Sequence, residues 1–141
     1  MRRVSTPGSD NLDTRLLRFR SNPDAATAEG LARALYDRGR VVEAIEVASV
    51  AVAERPHDAA LHLLLGRAWA RENDLLRAQR ALLDAAKAAP NDVDVYRALG
   101  DVLLRRGDRD RAGKVIERAL QIAPGDPTLL ALRGQVAGGA P

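Results

Sequence analysis

Three prolines, Pro56, Pro90 and Pro124, stand at a fixed spacing of 34 residues in a chain of 141. Other positions keep step with them. Ala51, Ala85 and Ala119 precede the prolines by five residues, and Ala44, Ala78 and Ala112 by twelve. Further back, Leu31, Leu65 and Leu99 are followed directly by the small residues Ala32, Gly66 and Gly100. A period of this length means one supersecondary unit copied along the chain. One such unit cannot bury its apolar face alone, so the copies must stack on one another.

Each unit reads as two helices. The first helices are expected at 25–38, 59–72 and 93–106, and the second at 41–54, 75–89 and 109–122. Gly39 and Gly107 fall between them, where a left-handed residue ends the first helix. Asn73 holds that place in the middle unit, and asparagine tolerates the left-handed region better than other side chains. The three prolines end the second helices. Asp24, Asp58 and Asp92 are placed to cap the next helix, and Asp126 stands before Pro127, a favourable first helical residue.

Composition supports helices throughout. Alanine occurs 26 times and leucine 20 times, while aromatics make up 3%. Strand-favouring residues are therefore scarce and an all-β fold is excluded. Cysteine is absent, which removes disulfides, thiolate catalysis and cysteine-ligated zinc. The pI near 9.9 rests on a surplus of only 22 basic over 19 acidic residues. Arginine outnumbers lysine 20 to 2, which together with the alanine excess reads as the codon bias of a high-GC genome. No apolar run approaches a membrane span, and the N-terminus carries no apolar signal core. The expected location is cytoplasmic.

The joint pattern resembles the tetratricopeptide repeat (TPR) family. The family's positions run tryptophan, leucine, glycine, tyrosine, then alanine, phenylalanine, alanine and proline. Here they are occupied by Ala28, Leu31, Ala32, Leu35, Ala44, Ala48, Ala51 and Pro56 in the first repeat. The second repeat has His62, Leu65, Gly66, Trp69, Ala78, Leu82, Ala85 and Pro90, and the third Tyr96, Leu99, Gly100, Leu103, Ala112, Ile116, Ala119 and Pro124. The small residues would let paired helices approach closely, and Leu35, Trp69 and Leu103 would fill the layers between repeats. The expected fold is an all-α right-handed α-solenoid of helix–turn–helix units with short flanking helices. Its repeats are expected at 25–58, 59–92 and 93–126, with a partial fourth at 127–137, in a TPR domain spanning 22–137.

The ends depart from the repeat. Residues 1–9 are expected to be a disordered tail and 138–141 a flexible tail or linker. Within 10–21, Leu12, Leu16 and Phe19 share one helical face, as expected of a short amphipathic helix that caps the first repeat. Leu129, Leu130, Leu132 and Val136 make the last helix too apolar for a solvated terminus.

Nothing in the chain assembles a catalytic or metal centre. His57 and His62 are five apart and do not share a helical face as an i, i+4 metal pair does. No serine lies in a nucleophile elbow, and no phosphate-binding glycine motif is present. No enzyme activity, cofactor or metal is expected. The resemblance implies instead that the first helices line a concave groove, and it points to Arg33, Tyr36, Leu63, Leu64, Arg67, Arg71, Arg97, Asp101 and Arg105 as partner-binding residues. Some family members clamp the C-terminal carboxylate of heat-shock chaperones with lysines and asparagines on this face. That subset does not match here. Glu29 stands for the clamp's lysine, Arg33 and Leu64 for its asparagines, and Asp94 and Ala98 for its basic pair. Acidic Glu29–Arg33–Asp37 and Asp94–Arg97–Asp101–Arg105 ladders pair along their own helices. Only Arg67 and Arg71, beside Leu63 and Leu64, lack an acidic neighbour on their own helix face; lateral bridges to Asp37 and Asp101 are the alternative use for them.

A second candidate interface lies on the convex side, where the family places polar residues. Val42, Val50, Leu76 and Leu83 occupy outward positions there, unless neighbouring repeats cover them. The expected function is a non-enzymatic adaptor or scaffold that binds a protein or peptide segment of mixed apolar and acidic character. Self-association as a homo-oligomer, through the convex face or the helical ends, is the alternative. Nucleic acid is an unlikely partner because few aromatics are available to stack on bases, and no membrane partner is expected.

Overall fold

The structure, a computed structural model, describes residues 9–138. The tails expected at 1–9 and 138–141 fall outside that range, apart from Ser9 and Gly138, which are the terminal residues of helices. Among the described residues there are eight α-helices and no strand. They are α1 (Ser9–Ser21), α2 (Ala25–Asp37), α3 (Val41–Glu54), α4 (Ala59–Arg71), α5 (Leu75–Ala88), α6 (Val93–Arg105), α7 (Arg109–Ile122) and α8 (Pro127–Gly138). The chain divides into two compact units, 1–56 and 57–141.

Local sequence sets the helix ends. Gly39, Asn73 and Gly107 all take positive φ, 79°, 60° and 80°, and so stop α2, α4 and α6. Asp24, Asp58 and Asp92 cap α2, α4 and α6 with their side chains, as their positions predict. The second helices of the later repeats are capped as well, by Asp74 and Asp108, which accept from Arg77 N and Arg111 N at 3.1 Å. Each of these aspartates follows its left-handed residue directly, so the same two-residue turn ends one helix and caps the next. In the first repeat Arg40 holds that place and offers no side-chain cap. Its guanidinium instead meets Glu43 at 2.6 Å and Asp13 of α1 at 2.6 Å.

In unit 1, α1 packs on α2, and α2 on α3. Leu12, Leu16 and Phe19 are all buried, so the amphipathic face read from 10–21 is the face that packs. Arg20 adds a two-pronged ion pair to Glu46 of α3, at 2.9 and 2.8 Å. The repeat positions Ala28, Leu31, Ala32, Leu35, Ala44, Ala48 and Ala51 are buried without exception.

In unit 2, α4 pairs with α5 and α6 with α7, and α8 packs on α6 and α7. The first helices also touch their successors, α4 with α6 and α6 with α8. The core joins Leu82, Tyr96, Leu99, Leu103, Ile116 and Leu129 into one cluster. Glycine is required at position 66, because a Cβ there would lie 2.5 Å from Cγ and Cδ2 of Leu82. Gly100 is less constrained, with Ile116 Cγ1 at 3.0 Å. Leu129 and Leu132 bury the apolar face of α8, whereas Leu130 is left exposed. Trp69 packs against this core cluster, as expected of a layer-filling residue, but from its edge. It is half-buried, with the Arg77 guanidinium 4.9 Å from its ring centroid, a cation–π arrangement.

Candidate functional site

Several of the candidate groove residues are already used by the fold, and Leu64 is one of them. It is 4% exposed and so forms part of the interior, contrary to its expected place on the ligand-binding face. The sixth position of the helix was assigned by family geometry, and a leucine there gains more by turning inward than by facing water. Leu63, its neighbour, is half-buried and leans on the core cluster of unit 2.

Arg97 and Arg105 are held by the protein itself. Arg97 bonds to Asp94 one turn earlier on α6 and to Asp126 before α8. Donating its hydrogen bond to Asp126 raises the guanidinium's pKa and, reciprocally, Arg97 holds the Asp126 carboxyl below its ordinary value, with the Leu129 N–H assisting. Arg105 reaches back to the end of α4, donating to the Ala70 carbonyl at 3.1 Å and to Asn73 Oδ1 at 3.2 Å, and it lies 3.9 Å from Asp101. These two arginines tie successive first helices together. Sequence reasoning missed that role, although the signal was present: Asp126 and Asn73 stand in turns, one repeat away from each arginine.

Arg67 and Arg71 are both exposed on α4. Arg67 makes no ion pair among the described residues, so the expected alternative of a lateral bridge to Asp101 does not form. Asp101 turns instead to Arg105. In unit 1, Arg33 is exposed and pairs with Glu29 at 3.6 Å, and Tyr36 is half-buried. His62 is buried at its first-helix packing position. Among the described residues no cluster of three or more histidine, aspartate or glutamate side chains could hold a metal. No helix there is long and apolar enough to cross a membrane.

The outward positions are uncovered where the alternative reading had them shielded. Val42 on α3 is 65% exposed, and Leu76 and Leu83 on α5 are 52% and 43% exposed. Val50 is half-buried and contributes less.

Family comparison decides the class. The model of the tetratricopeptide repeat matches residues 15–59, 31–78 and 63–127. The chain belongs to the tetratricopeptide repeat family. No curated protein matches it. Among solved structures, TPR-fold neighbours cover most of the chain. A crystal structure of MamA superposes with a TM-score of 0.85 at 22% identity, over 97% of this chain and 86% of that one. The first TPR domain of Spaghetti (RPAP3), bound to an HSP90 peptide, gives 0.79 at 16% identity, over 82% and 91%. The TPR2B domain of yeast Sti1, in complex with an Hsp70 peptide, gives 0.76 at 15%, over 82% and 98%. At these identities the likeness is one of fold: an all-α helical repeat of TPR units, in a family of protein-interaction modules.

Proposed function

We propose that this TPR protein is a non-enzymatic adaptor that binds a partner's peptide segment on the first-helix face of unit 2, with α4 as the main contact. The observation that carries the reading is the state of Arg67. It is an exposed, ion-pair-free arginine beside the partly apolar surface of Leu63, on a face where Arg97 and Arg105 bond to their own chain. Arginine next to apolar surface is typical of interaction hot spots, because both gain from desolvation against a matched partner. The contact set is Leu63, Arg67 and Arg71, flanked by Asp101. The ligand that suits it is a short apolar segment with one or two carboxylates.

Neighbours that hold HSP90 and Hsp70 peptides support a peptide ligand in kind but not in identity. Glu29, Leu64 and Asp94 occupy the places of the carboxylate-gripping residues, and Asp94 is committed to Arg97. A terminal carboxylate would meet repulsion there in place of a paired donor. The test is site-specific photocrosslinking in native lysate. A crosslinker at position 67 should capture a discrete partner, and one at position 118 on α7 should not. Equal capture from both positions counts against the first-helix face.

A second reading rests on Leu76 and Leu83, which α5 leaves exposed in a solvent-facing row. Self-association through that row would show as a mass that rises with concentration and returns to monomer in Leu76→Asp.

A further inference from the structure

Helix α5 carries Leu76 and Leu83 seven residues apart, 52% and 43% exposed. Arg80 and Lys87, also seven apart, are exposed beside them. Leucine and cation alternate as Leu76, Arg80, Leu83 and Lys87, at steps of four, three and four. That spacing sets the four side chains in one row along a helix face. Neither Arg80 nor Lys87 makes an ion pair among the described residues, and neither does Asp84, the one carboxylate of α5 beside the row. Arg77, at the edge, is already in use: it pairs with Asp74 at 2.8 Å, and its guanidinium lies over Trp69.

The sister helix α7 shows what the fold itself needs at these positions. One repeat later, Asp110 and Glu117 stand for Leu76 and Leu83, and Lys114 and Gln121 for Arg80 and Lys87. The inner faces correspond as well: Ala78, Leu82 and Ala85 are buried in α5, as are Ala112, Ile116 and Ala119 in α7. Each of the two helices packs on the first helix of its own repeat and on the one that follows. Carboxylates therefore satisfy the fold at both outward places, and on α7 they bracket Lys114 at helical-neighbour spacing. A single exposed leucine is ordinary. Two at a heptad interval, standing where the sister helix has its carboxylates, leave α5 with an open seam that is both apolar and basic.

We infer that the outer face of α5 docks an acidic amphipathic helix of a partner protein. The spacing sets the shape of the occupant. Residues seven apart mesh with a second helix running alongside, as the a positions of a coiled coil do, and the flanking e positions, here Arg80 and Lys87, select the partner by charge. The partner helix thus brings leucines to Leu76 and Leu83 and glutamates to Arg80 and Lys87. Charge also disfavours a second copy of this chain. A two-fold contact puts the same patch on both sides, so α5 against its own copy sets Arg80 and Lys87 among like charges, with only Asp84 to offset them. The occupant therefore differs from the second copy that self-association through Leu76 and Leu83 would bring. The site is separate from the face around Arg67, and it can fail or stand without it.

The probe is a fluorescently labelled, stapled synthetic helix of 14 residues, the length of α5, with leucines at heptad spacing and glutamates flanking them. A control peptide carries lysine for each glutamate. Anisotropy titration of the full chain should show saturable binding of the acidic peptide, weakening as salt rises, and none of the basic one. Leu76→Asp with Leu83→Glu installs the residues that α7 carries, so the melting temperature should hold while binding weakens at least tenfold. Arg80→Glu with Lys87→Glu should also weaken the acidic peptide at least tenfold and should now bind the lysine peptide. Arg67→Glu should leave the acidic peptide's affinity unchanged. Absence of binding at millimolar peptide overturns the inference, as does equal binding of the lysine control by the unaltered chain. Normal binding by either double variant overturns it too, and so does a charge-reversed variant that fails to bind the lysine peptide. Concentration-dependent self-association abolished by Leu76→Asp with Leu83→Glu assigns the row to a second copy and likewise overturns it.

Discussion

Arg97 and Asp126 share a carboxylate whose two oxygens do different work. Oδ2 accepts from the Arg97 guanidinium, with Nε at 2.9 Å, while Oδ1 caps α8 by accepting from Leu129 N at 3.0 Å. The ion pair thus fixes the entry of α8 against α6, which is where Leu129 enters the core. Asp126→Asn should keep the cap and lose the ion pair, and Asp126→Ala should lose both. Thermal unfolding should rank wild type above Asp126→Asn above Asp126→Ala, with Arg97→Gln close to Asp126→Asn.

The same contact sets an acid limit. Asp126 is held below its ordinary value by Arg97 and then by the Leu129 N–H, and Glu46 is held down by Arg20. A carboxylate whose folded pKa lies below its unfolded one adds stability above the unfolded value and loses it as pH falls through the folded value. Stability should therefore decline as pH drops below about 4. In Asp126→Asn the decline should be shallower. An identical pH profile for the two proteins would mean the pair contributes nothing.

Close helix approach at Gly66 makes a sharper demand. Gly66→Ala places a methyl against Leu82, a wholly buried neighbour. The expected loss is about 1–3 kcal/mol, the range for overpacking a filled core. Gly30→Ala meets no such contact and should gain up to about 1 kcal/mol through helix propensity. Urea unfolding of the two variants compares opposite signs for one substitution type.

Most of the fold could be read from the residues, because each repeat states its boundaries locally. The positive-φ residues, the prolines and three of the caps fix helix ends without any tertiary information, and the observed helices begin where those signals place them. Asp74 and Asp108 were missed as caps although they carry the same signal one residue past the turn. The site was less legible. Family geometry gives the face of a position but not the competitors for its side chain. Leu64 turned inward because it is apolar, and Arg97 and Arg105 found acceptors one repeat away that no within-helix ladder reveals. Arg67, by contrast, enters no ion pair among the described residues.

Leu12, Leu16 and Phe19 are buried in unit 1, and α1 is held further by Arg20–Glu46 and Asp13–Arg40. Deleting 1–21 should lower stability by a few kcal/mol, on the scale of three large apolar side chains returned to water, and should promote association. Calorimetry with light scattering checks both. An unchanged melting temperature in a chain that stays monomeric would remove α1 from the stabilising core.

Leu64 and Arg67 offer a contrast between fold and function on one helix. Leu64→Ala should cost about 2–5 kcal/mol as a buried truncation. Arg67→Glu should leave the melting temperature within a degree or two, since surface changes without partners are nearly neutral.

The most direct measurement is the affinity of the crosslink-identified partner segment for wild type, Arg67→Glu, Arg118→Glu and Leu76→Asp, each first shown to be folded. Binding along α4 predicts that Arg67→Glu weakens the complex by about 2 kcal/mol or more, while Arg118→Glu and Leu76→Asp bind as wild type. Unchanged affinity for Arg67→Glu together with loss in Leu76→Asp would contradict the account and move the interface to the outer face of α5.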